Sequence, residues 1–226
     1  MKFVLMITAL LMGQLVCAEG MPQNDQEFMR YMEAKAEQTQ QEEEFKNPKT
    51  PEFKSNRAVL GTRNAQIKVI AYSDFQCPYC KKGYETVEEL RKKYGDKMVF
   101  MFKHLPLPFH PMALPTAKRF EAIALHSGKK AYAFHNEVFK NQEGLSGGEA
   151  FLDALVKKVG ANVEQVKKDM DSPQVKKNIE SDQAEAKKYN ITGTPGFVVA
   201  GVTLRGAYPI QNFEDIIAKR FGATKN

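Results

Sequence analysis

The chain has 226 residues, of which 42% are hydrophobic, and this is enough for one globular domain with short appendages. Its formal net charge is +6, but the lysines are spread among acidic residues rather than clustered. This distribution is typical of a solvated surface and argues against a protein that binds nucleic acid.

The first 18 residues have the pattern of a secretory signal peptide. Lys2 is followed by an apolar run over residues 3–12, and the segment ends in Val16-Cys17-Ala18, a small-residue cleavage pattern. A membrane anchor is an alternative, but the apolar run is shorter than the roughly 20 residues that span a bilayer. A lipid on Cys17 is a second alternative, which the bulky Val16 disfavours. We therefore expect a mature chain that begins at Glu19 and is periplasmic or otherwise exported.

Residues 19–57 are predicted to form an N-terminal helix and a linker. The helix spans residues 24–46 and has a thin apolar stripe formed by Phe28, Met32, Ala36 and Thr39. Its second half, residues 38–44, is almost wholly polar, so we expect it not to pack deeply. The helix is either a solvated arm or a surface for homo-oligomer formation. Residues 47–57 contain two prolines and are predicted to be the linker.

Residues 58–226 are predicted to form the main domain, which opens with a βαβ unit. Residues 66–73 are apolar and β-branched, which favours a buried strand. Residues 81–94 show helical periodicity, and residues 97–103 form a second apolar strand. Strand, helix and strand within about 40 residues favour a right-handed crossover between parallel strands.

A helical region then interrupts the strands at about residues 112–189. It follows a proline-rich loop at residues 105–115. The chain returns to strand character at residues 196–200 and 202–205, and it closes with a helix at residues 210–221. The pattern predicts an α/β fold with an inserted all-helical subdomain. The inserted helices are expected at residues 112–127, 130–140, 148–159, 163–170 and 173–189.

Two cysteines lie where the first predicted strand gives way to a helix, in the run Asp74-Phe75-Gln76-Cys77-Pro78-Tyr79-Cys80. A helix N-terminus stabilises a thiolate and lowers its pKa. Signal-peptide removal leaves only this pair, which encloses too short a loop to act as a structural disulfide. The alternative is zinc, but zinc normally needs four ligands, and only His104 and His110 could join the cysteines. We therefore predict a redox pair and no metal.

These motifs resemble the DsbA-like branch of the thioredoxin superfamily. The resemblance rests on the CPYC motif, on Leu105-Pro106-Leu107 with His110-Pro111, and on Gly193-Thr194-Pro195 before the third strand. It covers about residues 60–221. It implies a thioredoxin fold and a cis peptide bond between Thr194 and Pro195, packed against the disulfide. It also implies that Thr194 and Pro195 bind substrate and that no cofactor is needed beyond the Cys77–Cys80 disulfide.

The two cysteines are expected to have different roles. Cys77, at the helix start and partly exposed, is the expected nucleophile, and Cys80, one turn into the helix, is the buried resolving thiol. Pro78 and Tyr79 shape the site and influence the stability of the Cys77 thiolate. Many relatives bury an acid in the preceding strand, but this chain has Ala71 at that place. Asp74 is a candidate replacement.

The predicted function is an exported enzyme that forms disulfides in other proteins. The expected partners are unfolded or cysteine-containing proteins and a membrane redox protein that recycles the active site. One alternative is an oligomeric disulfide isomerase or reductase, in which electrons flow in another direction. A second alternative is a non-catalytic peptide-binding or chaperone module.

Overall fold

The computed structural model describes residues 24–222, whose contacts divide into two units at residues 40 and 41. The first unit holds most of helix α1 (Asp25–Lys46), where Phe28 and Met32 are exposed. The second unit contains every strand of the described chain. The predicted signal peptide, residues 1–18, lies outside the described residues. No helix within residues 24–222 combines the length and the apolar character needed to span a bilayer.

A five-stranded sheet forms the centre of the second unit, with the strand order β1-β3-β2-β4-β5. Strands β2 and β3 are parallel, and the other neighbours are antiparallel. The predicted βαβ unit is therefore confirmed. Strand β1 was not predicted, because two residues are too short to show a periodic pattern. In chain order, the strands are β1 (Leu60–Gly61), β2 (Ile67–Ser73), β3 (Met98–His104), β4 (Gly196–Val199) and β5 (Val202–Arg205).

Helices cover the sheet and supply the predicted insertion. Helix α2 connects β2 to β3, and α8 follows β5. Five helices, α3 to α7, lie between β3 and β4, as predicted. Ser127, Asn162 and Ser172 cap three of them by accepting a backbone N–H with the side chain. These helices are α2 (Pro78–Tyr94), α3 (Ala113–Ala124), α4 (Gly128–Lys140), α5 (Gly148–Lys158), α6 (Val163–Asp169), α7 (Pro173–Lys188) and α8 (Ile210–Phe221).

The end of α1 departs from the prediction that its polar half does not pack deeply. Glu44 is only 3% exposed, and its carboxylate accepts hydrogen bonds from the backbone N–H and the hydroxyl of Thr203 on β5. Arg220 donates to the carbonyl oxygens of Glu44 and Phe45. The prediction is wrong here because the edge strand presents an unpaired N–H that a carboxylate can satisfy.

The segment after α1 is tied to the inserted helices through Arg57. Its guanidinium is buried and donates to both carboxylate oxygens of Asp182 on α7 and to Glu121 on α3. These charge-assisted bonds compensate for the cost of burying the three charges. Arg57 is therefore part of the packed structure, although the segment has no helix or strand from residue 47 to residue 59.

Candidate active site

Cys77 and Cys80 lie at the start of α2, directly after the strand β2 and a short turn. Cys77 is the N-cap residue, and Pro78 occupies the first helical position, where a missing N–H leaves no intrahelical bond unmade. The N–H of Cys80 donates to the carbonyl oxygen of Cys77 at 3.0 Å. Both thiols are free, so the structure shows the reduced form of the pair.

The surroundings of Cys77 favour its thiolate. A hydrogen bond from the Cys80 thiol lowers the pKa of Cys77 to about 5, against the opposing effect of burial. The Thr194 hydroxyl and the backbone N–H groups of Tyr79 and Cys80 also lower it. Thr194 Oγ1 is buried and has no hydrogen-bond partner in the structure, so its hydroxyl is available to donate to an ionised Cys77 sulfur. These contacts therefore favour the thiolate form of Cys77 at neutral pH.

Cys80 has the opposite electrostatic environment. It is 1% exposed, and burial raises its pKa well above the ordinary range, with a further rise from the neighbouring Cys77. The Ser73 hydroxyl and the backbone N–H of Asp74, which lies 3.4 Å from Cys80 Sγ, act against this rise without reversing it. Cys80 therefore remains a protonated thiol when Cys77 is ionised.

Cys77 is more enclosed than predicted. Its exposed fraction is 4%, whereas Tyr79 is 60% exposed. The reason is Thr194, whose carbonyl oxygen lies 3.5 Å from Cys77 Sγ. The expectation that Cys77 is partly exposed is therefore wrong.

The Thr194–Pro195 peptide bond is cis, as the resemblance implied. Pro195 is buried and packs against α2 at Gly83, where a Cβ would lie 3.2 Å from Pro195 Cγ and 2.9 Å from the Phe197 ring. A larger residue at Gly83 would therefore push α2 away from this loop. The structure brings four of the predicted residues, Cys77, Cys80, Thr194 and Pro195, to one place.

Asp74 is buried beneath the turn that leads to Cys77. One carboxylate oxygen accepts the Gln76 N–H at 2.7 Å. The other lies 2.8 Å from the Leu107 nitrogen and 2.8 Å from His110 Nδ1. Ala71 occupies the middle of β2, between Phe102 and Phe197 on the adjacent strands, and is buried as an apolar residue. The carboxylate nearest the cysteines in the sequence is thus engaged by the loop after β3.

Sequence reasoning missed two glutamines that hold this turn. Gln142, in a 3-10 helix after α4, donates its side-chain amide to the carbonyl oxygens of Phe75 and Cys77. Gln76 accepts the Met112 N–H at 2.7 Å through its side chain. Gln142 is 65 residues from Cys77, and no motif marks it. Gln76 directly precedes the CPYC motif, so its position next to Cys77 was the available signal.

The histidines considered as zinc ligands have other partners. His110 contacts Asp74, and His104 Nε2 lies 2.9 Å from Glu121. His104, Glu121 and Asp182 form a group of ligand-type side chains within residues 24–222, with ligand atoms within 4.8 Å of one another. Arg57 already binds both carboxylates, so its positive charge opposes a cation there. These residues therefore fit an internal ion-pair network better than a metal site.

Comparison with known proteins places this geometry in a family. The sequence matches the family model for thioredoxin over residues 53–219. It is 30% identical over 154 residues to a probable disulfide bond formation protein D of Bacillus cereus, covering 65% of this chain and 71% of that protein. It is also 28% identical over 153 residues to a Na(+)/H(+) antiporter NhaA 1 of Mycolicibacterium vanbaalenii.

The antiporter match concerns a minor part of a longer protein. It covers 66% of this chain but only 24% of the antiporter, so this chain spans about a quarter of the length of that relative. The ion transport named for the antiporter is a property of that whole protein. It therefore says nothing about the chemistry at Cys77 and Cys80.

Solved structures agree with the family match. A thioredoxin-like oxidoreductase from Silicibacter pomeroyi is 26% identical, with a TM-score of 0.65, over 74% of this chain and 92% of that one. The thiol-disulfide exchange protein alpha-DsbA2 from Wolbachia pipientis is 18% identical, with a TM-score of 0.66, over 84% and 97%. The predicted α/β fold and the DsbA-like resemblance are confirmed. The chain therefore belongs to the thioredoxin family.

Proposed function

We propose that this chain is an exported thiol-disulfide oxidoreductase that forms disulfides in other proteins through Cys77 and Cys80. The observation that carries the proposal is the opposite displacement of the two thiol pKa values. The pKa of Cys77 falls to about 5, and that of Cys80 rises. A reactive thiolate beside a buried resolving thiol is the arrangement that disulfide exchange requires.

The proposed reaction begins with the Cys77–Cys80 disulfide. A substrate thiolate attacks Cys77 Sγ, the S–S bond breaks, and Cys80 leaves and takes up a proton. A second substrate thiolate then attacks the substrate sulfur of the mixed disulfide and expels Cys77 as a thiolate. The substrate loses two electrons and gains a disulfide, and the enzyme is reduced by two electrons. A low pKa makes Cys77 a good leaving group in the second step.

The same thiolate supports oxidation as the direction of the reaction. Stabilising the Cys77 thiolate stabilises the reduced enzyme, and this makes the disulfide a stronger oxidant. An isomerase or reductase would instead work with Cys77 kept reduced. The low pKa of Cys77 therefore favours the oxidase over this alternative.

The substrate is proposed to lie across Thr194 and Pro195. The carbonyl oxygen of Thr194 lies 3.5 Å from Cys77 Sγ, so a chain bonded to Cys77 would pass next to this backbone. Pro78 and Tyr79 are exposed at the same helix end and would border the attacking substrate. Unfolded or cysteine-containing proteins are the proposed substrate class.

Two further partners follow from the proposal. A membrane redox protein would reoxidise the Cys77–Cys80 dithiol after each cycle, since the reaction leaves the enzyme reduced. Residues 1–18 would direct export, after which no cofactor is needed besides the disulfide.

A second copy of the chain is the third proposed partner, bound through α1. Phe28, Met29, Tyr31 and Met32 are between 44% and 58% exposed. Sedimentation of the mature chain and of Met32→Glu tests this contact. An oligomer that the substitution dissociates supports it, and a monomeric wild-type chain contradicts it.

A redox titration tests the proposed function. The mature chain is equilibrated with glutathione buffers to measure its redox potential. In a second assay, wild type and Cys77→Ser are each mixed with a reduced model peptide, and oxidation of the peptide is measured. We expect a potential closer to the about −120 mV of DsbA than to the about −270 mV of thioredoxin, and no activity in the variant. A potential near that of thioredoxin contradicts the oxidase. Activity that survives Cys77→Ser contradicts the catalytic role of the pair.

A further inference from the structure

We propose that Asp74 and His110 form a positioning pair for the redox chemistry of Cys77 and Cys80. The inference rests on the proposed function and assigns a role to two residues outside the CPYC motif. Neither side chain is proposed to react, and each acts through the backbone that it holds.

The backbone of Asp74 reaches both cysteines. Its N–H donates to Cys80 Sγ at 3.4 Å, and its carbonyl oxygen accepts the N–H of Cys77 at 3.3 Å. A hydrogen bond to sulfur stabilises the state in which that sulfur accepts it, which here is the dithiol form. The placement of the Asp74 backbone therefore affects the reduced enzyme at both cysteines.

The side chain of Asp74 holds the Asp74 backbone in this position. The carboxylate is fully buried, and a buried charge is tolerated only with close partners. Two of its partners, the N–H groups of Gln76 and Leu107, belong to the backbone. The third is His110 Nδ1 at 2.8 Å, so His110 is the side chain that completes the set.

His110 is itself held in the loop between β3 and α3. Its N–H donates to the Leu107 carbonyl oxygen, and its own carbonyl oxygen accepts the Ala113 N–H. The Phe109 ring packs edge-on to the imidazole with ring centroids 4.6 Å apart. The histidine therefore connects a well-defined loop to the turn that carries the cysteines.

The consequence is a difference between the two redox forms. Removing the imidazole leaves Asp74 with two backbone partners and frees its carboxylate to shift. The hydrogen bond from the Asp74 N–H to Cys80 Sγ would then be weaker in the dithiol form. The redox equilibrium would shift toward the disulfide form. We expect the change to appear in the redox equilibrium and not only in the stability of the fold.

The experiment compares three variants of the mature chain in glutathione buffers. His110→Ala removes the contact, and His110→Asn restores a donor at the position of Nδ1. His126→Ala is the matched control, because it breaks an exposed His–Asp pair in which His126 Nε2 lies 2.7 Å from Asp169. Each variant is also unfolded by urea in its dithiol and disulfide forms.

We expect His110→Ala to shift the redox equilibrium constant toward the disulfide form by roughly three- to tenfold, the value of about one hydrogen bond. A tenfold shift corresponds to about 30 mV. His110→Asn and His126→Ala should stay within about twofold of wild type. If His110→Ala folds poorly, His110→Gln fills the space but places its amide one bond too far, and it should shift the equilibrium in the same direction.

Two results overturn the proposal. One is an equilibrium constant for His110→Ala equal to that of His126→Ala. The other is an equal loss of stability in both redox forms, which indicates a structural role alone. Failure of the proposed function gives a different result. A wild-type chain that cannot oxidise the model peptide contradicts the oxidase, but the redox equilibrium constant of His110→Ala can still be measured.

Discussion

Gln142 holds the turn before α2 by donating its side-chain amide to the carbonyl oxygens of Phe75 at 2.8 Å and Cys77 at 2.9 Å. The two acceptors belong to the segment between β2 and α2, whereas Gln142 belongs to the inserted helical region. The insertion is therefore bonded directly to the backbone that presents the cysteines.

The first prediction concerns this contact. Gln142→Ala removes the amide donor from the Phe75 and Cys77 carbonyl oxygens, of which the Cys77 oxygen keeps only the N–H of Cys80. The free energy of unfolding should therefore fall by about 1–3 kcal/mol. Urea denaturation of the dithiol form measures it. Gln165→Ala is the control, because the Gln165 side-chain amide donates to Asp169 at an exposed position, and its loss should cost less than about 0.5 kcal/mol. Equal losses in both variants would contradict the role given to Gln142.

The second prediction is the titration of Cys77. The lowered pKa of Cys77 means that its alkylation rate should rise with pH around pH 5 and be flat from about pH 7 upward. Iodoacetamide modification of the reduced chain, followed by mass spectrometry, measures the rate. Cys77→Ser serves as the control, and its Cys80 should stay unmodified through pH 8 because burial keeps that thiol protonated. A midpoint near pH 8.5 would contradict the geometry.

The third prediction isolates the Thr194 hydroxyl. Thr194→Val keeps the shape but removes the hydroxyl that can donate to an ionised Cys77 sulfur. The pKa of Cys77 should therefore rise, by up to about one unit for one lost hydrogen bond. The same alkylation profile measures the shift. Thr86→Val on α2 is the control, since its hydroxyl donates to the backbone carbonyl oxygen of Lys82. No shift in Thr194→Val would show that its hydroxyl does not reach the thiolate.

The fourth prediction concerns the buried network around Arg57. Arg57→Met leaves Glu121 and Asp182 buried without their main positive partner, which should cost about 3–5 kcal/mol in the free energy of unfolding. Lys158→Met is the control, because its pair with Glu137 is exposed and should be worth less than about 1 kcal/mol. A small effect of Arg57→Met would show that water reaches the two carboxylates.

The fifth prediction is a pH dependence of stability from His135. Burial among aromatic rings lowers the pKa of His135 to about 3, below the roughly 6.5 of an unfolded histidine. The unfolded chain therefore binds the proton first, and stability falls as the pH drops from about 6.5 toward 3. His135→Phe should remove this loss. Between pH 7 and pH 5, wild type should lose about 2 kcal/mol more than the variant.

The window between pH 7 and pH 5 separates His135 from Glu121. His104 and Arg57 hold the pKa of Glu121 at about 2, although burial alone would raise it. The stability from this depressed pKa is present above about pH 4.5 and is lost only as the pH falls further toward 2. Urea unfolding at pH 7, 5 and 3.5 distinguishes the two groups. A parallel decline of wild type and His135→Phe down to pH 5 would contradict the assignment to His135.

Much of the fold could be predicted from the sequence because the signals are local. The apolar run of β2 predicts a buried strand, and the prolines at residues 105–115 predict a loop. The cysteine pair and Thr194-Pro195 were also recognisable as motifs, and the structure brings them together. Strand β1 escaped prediction since its two residues are defined only by pairing with β3.

The errors arose where distant side chains decide the outcome. Cys77 is enclosed because Thr194 lies against it, which no property of the CPYC run indicates. In the sequence, Glu44 belongs to a polar helical segment that is expected to be solvated, and only the folded chain shows its contact with Thr203. Gln142 carries no local signal, and only the folded chain shows that it faces Phe75 and Cys77. Contacts of this kind depend on long-range geometry rather than on pattern.

The carboxylate of Glu44 also affects how the sheet meets other chains. Strand β5 is an outer strand, and Glu44 occupies the N–H of Thr203 that would otherwise be free to bind an extended peptide. The strand at the other margin of the sheet, β1, is only two residues long. Both margins of this sheet are therefore poor templates for adding an extended segment. Under the proposed function, this limits strand addition by an unfolded substrate to places other than the sheet margins.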